Sequence, residues 1–235
     1  MQHANKQIYY HFLSSQNAIH DLERKMIRVS TIDSLNDPFE LLPYLRHMRN
    51  KEYGRYMDIR NRVSKIYGLL CFSTKTTEPL LWSHYANKHK GVALGFELLN
   101  SDVFEVDYDP NPIRRQIVLT QDLFRNKSMF LDLAKIKYEK WKYEQESRMI
   151  VKLDECVNID GHYFMEFNNR LIVRQIKLGA FYDNSDRYIA KLASDFSAEI
   201  IVCRLERQGY RIIKNGKKTK IIQEEVKRLS TINSN

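Results

Sequence analysis

The chain has 235 residues and a formal charge of +9, with 43% hydrophobic and 11% aromatic residues, a balance that excludes disorder and is ample for a sizeable core. No window approaches 18 uninterrupted apolar residues, and the start MQHANKQIYY lacks the basic-then-apolar layout of a secretory signal, so a cytoplasmic protein is expected. Cys71, Cys156 and Cys203 stand far apart with no CxxC or Cys/His spacing, which argues for buried thiols and against a disulfide scaffold or a zinc site.

IYYHFLS (8–14) is aromatic-rich and reads as a strand. Ser14 or Ser15 then caps a helix with Ala18, Ile19, Leu22 and Met26 at helical spacing. IRVST (27–31) alternates as a short strand, and DSLNDPFE follows as a loop whose Asn36-Asp37-Pro38 is turn chemistry. Residues 44–66 predict one helix, and YGLLCFST (67–74) a buried strand. EPLLWSHYANKH has helical spacing, and GVALGFEL (91–98) returns as a buried strand.

Residues 101–115, with DPNP, read as irregular, and 117–142 as mostly helix ending at Trp141. ESRMIVKL is the next strand, NIDGHY a turn, and FMEFNNRLIVRQIKLGAF holds two more strand-like pieces. DRYIAKLASDF is amphipathic, while EIIVCRLE and GYRIIK look like paired strands. Strands and helices mix without regular alternation, which predicts a single α+β domain over residues 1–235 with a split or mixed, mainly antiparallel sheet.

WKYEQESRMIV (141–151) places Glu144, Glu146 and Arg148 two residues apart at the mouth of a core strand. On a strand the three share a face, where they form either an ion-pair ladder or part of a site. Companions elsewhere are His11 on the first strand, Ser73 and Thr74 in CFSTKTT, and Trp82, Ser83, His84, Tyr85, His89 and Lys90 in WSHYANKHK. Each has a plain alternative: a packed histidine, hydroxyls capping a helix, and ring packing in the core. His84 and His89 are five apart, off the spacing of a metal-binding helical pair, so no metal is expected. Asn36, Asp37 and Glu40 either build a turn or project into the same cleft.

SLNDPFE, LLCFSTKTTEPLLWSHYANKHKGVALGFE and WKYEQESRMIV resemble, in order and spacing, the bacterial family of uncharacterised domains DUF2971, over roughly residues 8–182. More distantly, a histidine on the first strand, a Ser/Thr cluster closing a later strand and a Glu-x-Glu opening another look like the ADP-ribosyltransferase fold. That resemblance implies an NAD-consuming enzyme. Glu146 would stabilise the positive ribose as the nicotinamide bond breaks, His11 would bind a ribose hydroxyl, and Glu144 would orient or deprotonate an acceptor. Ser73 or Thr74 would position NAD, with Trp82, His84 and Tyr85 around it. Asn36, Asp37, Glu40 and Arg148 are second-rank candidates, and Arg148 is placed to neutralise Glu146. The acceptor would be nucleic acid or protein, in a bacterial defence or toxin–antitoxin setting.

Residues 204–228 hold nine Lys/Arg against three Glu. They read as a solvated hairpin or helix, or as a nucleic-acid contact. The second function class is therefore a non-catalytic nucleic-acid-binding or antitoxin-like module using Lys214, Lys217, Lys218 and Lys220. A metal-independent nuclease with His84 or His89 as general base is the third.

Overall fold

In chain order the elements are β1 (Lys6–Leu13), α1 (Ser15–Arg24), β2 (Met26–Val29), α2 (Asn50–Val63), β3 (Tyr67–Ser73), α3 (Pro79–Tyr85), β4 (Val92–Leu99), β5 (Phe104–Glu105) and β6 (Asp107–Asp109). There follow α4 (Lys127–Ala134), β7 (Ile136–Tyr138), β8 (Glu146–Lys152), β9 (Val157–Ile159), β10 (His162–Glu166), β11 (Ile172–Leu178), α5 (Asp186–Asp195), β12 (Glu199–Leu205), β13 (Ile212–Lys214) and α6 (Gly216–Ile232). The computed structural model describes residues 6–41, 50–111, 127–184 and 186–232. The fold class is α+β with mixed, mainly antiparallel pairing. Among the described residues no helix is long and apolar enough to cross a membrane.

Local chemistry accounts for the element ends. Ser14 caps α1 by accepting from the Asn17 N–H at 3.2 Å, and Lys25 closes it in the left-handed conformation. Glu78 caps α3, accepting from the Leu80 N–H at 3.1 Å, with Pro79 in the first turn, where its missing N–H costs nothing. Asp160 and Gly161, with φ of 50° and 81°, make the two-residue turn between β9 and β10.

The helix expected over 117–142 needs correction where it is described. Helix α4 ends at Ala134, β7 pairs in parallel with β6, and Glu139–Glu144 is a 3-10 turn. Ladder pairing and the burial of Lys137 outweigh helical propensity there. The irregular stretch contains β5 and β6, while its residues 112–115 lie outside those described, as do 44–49 of the helix expected over 44–66.

The chain forms two compact units. The first comprises Met1–Ile27, Phe72–Asp102 and Phe167–Asn235, and the second Arg28–Cys71 and Val103–Glu166. In the first, the sheet order is β13-β12-β11-β4-β1, with Ser73 at the end of β3 paired to Tyr10. All pairs are antiparallel except β11/β12, whose crossover carries α5. One face carries α1, α5 and α6, sealed by Phe72, Phe96, Phe167 and Phe196 in edge-to-face contact at 5.4–6.0 Å. Helix α3 covers part of the other, where Leu81, Trp82 and Ala86 pack with Phe12, Ala93, Cys203 and Ile212. Gly91 lies so close to the neighbouring backbone that a Cβ would stand 2.1 Å from the Leu13 carbonyl oxygen.

In the second unit β3, β8 and β5 are hydrogen-bonded in that order, β2, β10 and β9 form a three-stranded ladder, and β6 pairs with β7. Its apolar core joins Ile32, Leu41, Leu69, Phe130 and Ala134.

Candidate functional site

The second unit contains a buried charge cluster: Glu40, Lys137, Glu144, Glu146 and Arg148 are each 6% exposed or less. Asp37 builds the turn that delivers the first of them. Its Oδ1 accepts from the Phe39 N–H at 2.9 Å and its carbonyl from the Glu40 N–H at 3.1 Å, and the Glu40 carboxylate then meets Arg148 NH2. Glu144 ends the 3-10 turn, Gln145 takes a left-handed φ of 42°, and β8 begins at Glu146. Glu144 thus precedes the strand instead of sharing its face, and joins the cluster through Lys137.

The cluster is densely paired. Arg148 Nε donates to Glu146 Oε1 at 2.7 Å, NH2 to Glu146 Oε2 at 2.9 Å, and NH1 to the Ala134 carbonyl at 2.9 Å. Lys137 Nζ donates to Glu144 Oε2 at 2.6 Å and Glu146 Oε2 at 2.9 Å, and lies 5.0 Å from the centre of the Trp141 ring. Glu40 Oε1 stands 3.2 Å from the same ammonium, ion-paired without hydrogen-bond alignment. The Glu146 N–H donates to Tyr108 Oη at 2.9 Å.

Burial alone would raise the Glu146 carboxyl, but the Arg148 and Lys137 charges outweigh it and hold it at about 2. Burial opposes the charges of Lys137 and Arg148 too, and the carboxylates prevail, moving both upward. Burial first, then the Glu146 charge, push the Cys71 thiol well above its usual range. Burial likewise lifts the Tyr108 phenol to about 12. A carboxylate ionised across the whole neutral range, with both oxygens engaged, is poorly matched to proton transfer near pH 7. Its evident capacity is to fix the 37–40 turn, β7 and β8 in one register.

Lys137 was not among the expected residues, because it sits in a segment that reads as helix. A signal existed: two glutamates beside a buried strand require more cation than one arginine supplies. Asn36 is exposed, and Asp37 serves the turn. Among the described residues no group of three or more His, Cys, Asp or Glu could hold a metal ion.

The remaining expected residues belong to the first unit. Tyr10 stands directly opposite Ser73, so these two share a sheet face. His11, one residue on, points to the other face, its ring 6.0 Å from Phe72 in the aromatic layer. Ser73 Oγ accepts from the Lys75 N–H at 3.0 Å, and Thr74 is half-buried beside it. Trp82 is fully buried, edge-on to Phe12 at 5.1 Å, with Nε1 donating to the Thr76 carbonyl at 2.8 Å. Tyr85 packs against the same cluster, and His84 is exposed with its ring 6.1 Å from Tyr85.

Above Gly95, on the Ser73 face, Tyr10 donates to Gln175 Oε1 at 2.6 Å and Gln175 Nε2 to Glu199 Oε2 at 2.8 Å. A Cβ on Gly95 would meet Tyr10 and Gln175 at 3.0 Å. Lys177 Nζ donates to Thr76 Oγ1 at 2.8 Å and lies 4.3 Å from the Tyr10 ring centre. Burial lowers its pKa and raises the Tyr10 phenol to about 12. Sequence spacing did not single out this row, because its members come from three strands and one loop.

Charge divides unequally between the units. The first contains 20 Lys/Arg and 12 Asp/Glu, the second 18 and 17, so the first carries +8 of the net +9. Residues 204–228 are the β12–β13 hairpin followed by most of α6, with Lys217, Lys218 and Lys220 exposed and in no ion pair among the described residues.

The family model described as "Protein of unknown function (DUF2971)" matches residues 81–149, from α3 into β8. That span includes Trp82, His84, Tyr85, Glu144, Glu146 and Arg148, and leaves out Tyr10, Ser73 and the basic hairpin. No curated protein and no solved structure matches the chain.

Proposed function

We propose that the first unit is a polyanion-binding module and that its ligand is nucleic acid. The observation that carries this is the segregation of charge: +8 on one unit against +1 on the other. Neutralising backbone phosphates releases condensed counterions, so binding would weaken steeply with salt. The exposed lysines at the start of α6 supply cations at a helix N-terminus, where Asn215 Oδ1 takes the Lys218 N–H at 3.2 Å and the helix dipole favours phosphate. Anisotropy of a labelled 20-nucleotide strand, titrated at several salt concentrations, tests it. Replacing Lys217, Lys218 and Lys220 together by Ala should flatten the slope of log K on log salt by about 2. An unchanged slope, or no binding at 50 mM salt, would overturn the reading.

A second reading, NAD cleavage of the ADP-ribosyl type, is favoured by the pairing of Tyr10 with Ser73 on one sheet face. In it Tyr10 takes the first-strand position for which His11 was the candidate. Against it stand the two cations that occupy both Glu146 oxygens. Release of nicotinamide from NAD, lost in Ser73→Ala, would support this reading; no release above a heat-treated control would end it.

A further inference from the structure

We propose that the turn joining β12 to β13 is a base-stacking site for single-stranded nucleic acid, with Tyr210 as the platform and Arg204 and Arg207 on the adjoining phosphates. This rests on the polyanion reading of the first unit and names the form of nucleic acid it takes.

Tyr210 is 97% exposed, the most open of the large hydrophobic side chains among the described residues. No ring partner covers it among the described residues, yet the turn beneath it is firmly built. The Glu206 N–H donates to the Arg211 carbonyl at 3.0 Å, and Arg211 grips the Glu206 carboxylate with Nε and NH2 at 2.8 and 2.9 Å. A Cβ on Gly209 would stand 2.5 Å from Glu206 Oε2, so glycine leaves the space that this fork occupies. The ladder continues below through Leu205↔Ile212, Arg204↔Ile213 and Cys203↔Lys214.

An aromatic face held in water on an ordered turn costs little conformational entropy when a flat partner arrives. A nucleobase offers such a partner, and any base does, because each has a π-face. Arg207 is exposed and in no salt bridge among the described residues; Arg204 is exposed too and in no salt bridge there, with NH1 donating to the Leu205 carbonyl at 3.1 Å, whereas Arg211 is committed to Glu206. Two arginines therefore remain for phosphates. The three residues of β13 separate the turn from the first turn of α6 by roughly 10 Å, so a strand stacked on Tyr210 can run on to Lys217 and Lys218. In a duplex the bases are stacked on one another, which is why the proposal is confined to single strands.

The test uses the full chain, a fluorescein-labelled 20-nucleotide strand and a duplex of the same length. Tyr210→Ala should weaken single-strand binding about 5- to 100-fold with the salt slope unchanged, while Tyr210→Phe keeps the affinity and the duplex responds little. Unaltered single-strand affinity in Tyr210→Ala, alongside loss in the α6 lysine variant, would overturn the stacking site and leave the polyanion reading in place. Absence of binding to either probe would remove both. Equal loss on the duplex, or stronger binding to anionic phospholipid vesicles that depends on Tyr210, would also overturn it.

Discussion

Arg148 holds both oxygens of Glu146, from Nε at 2.7 Å and NH2 at 2.9 Å, in a setting where the arginine is 1% exposed and the glutamate 6%. Removing Arg148 leaves three buried glutamates facing the single Lys137 ammonium, an excess of negative charge held away from water. Arg148→Met should therefore cost about 3–5 kcal/mol in urea unfolding. Adding Glu146→Gln to it should cost less than the two single losses summed, because the second change removes one of the excess negative charges. A single-variant loss below about 1 kcal/mol would mean that water reaches the cluster.

The same pair sets an acid dependence. Glu146 titrates near 4.5 when unfolded and near 2 when folded, so between these values the unfolded chain binds more protons. Stability then rises with pH across that window. The contribution is complete above about 4.5 and lost as pH falls towards 2. Urea midpoints measured from pH 6 to pH 2.5 should fall more steeply for the natural chain than for Glu146→Gln, and parallel curves would refute the assignment.

Much of the fold was legible because it is written in local pattern. The apolar run of β4 between Gly91 and Asn100, the Ser14 cap and the Asp160-Gly161 turn each specify their element without help from distant residues. Lys137 was not legible, since its strand exists through pairing with Asp107–Asp109 and its charge is tolerated only among three glutamates. Face assignment failed for a related reason. His11 and Tyr10 are equally plausible by composition, and only the register against Ser73 separates them, where a shift of one residue exchanges the faces.

Trp82 and Trp141 give the two units separate optical reporters. Trp82 is wholly enclosed, and Trp141 is half-buried with the Lys137 ammonium over its ring. Iodide should quench only part of the emission, and that part should vanish in Trp141→Phe. Added NAD should leave the residual Trp82 emission unchanged, because no face of the indole is open for stacking. Quenching of Trp82 by iodide would show that the α3 layer opens in solution.

Backbone strain is concentrated just beyond α3, where Asn87, Lys88 and His89 adopt left-handed φ values of 43°, 54° and 68° in succession. Asparagine tolerates this conformation, but lysine and histidine each pay roughly 1–2 kcal/mol for the close approach of Cβ to the carbonyl. The turn is held by the Lys88 N–H to the Ser83 carbonyl at 3.3 Å and the His89 N–H to the Trp82 carbonyl at 3.1 Å. Lys88 is exposed, and its side chain makes no hydrogen bond or salt bridge among the described residues. Lys88→Gly should therefore stabilise the chain by about 0.5–1 kcal/mol once the added entropy of the unfolded state is subtracted. Lys88→Val, with a branched Cβ in the same conformation, should destabilise it. Thermal midpoints of the two variants moving in opposite directions would establish the strained turn; a lower midpoint for Lys88→Gly would show that the backbone there is not left-handed in solution.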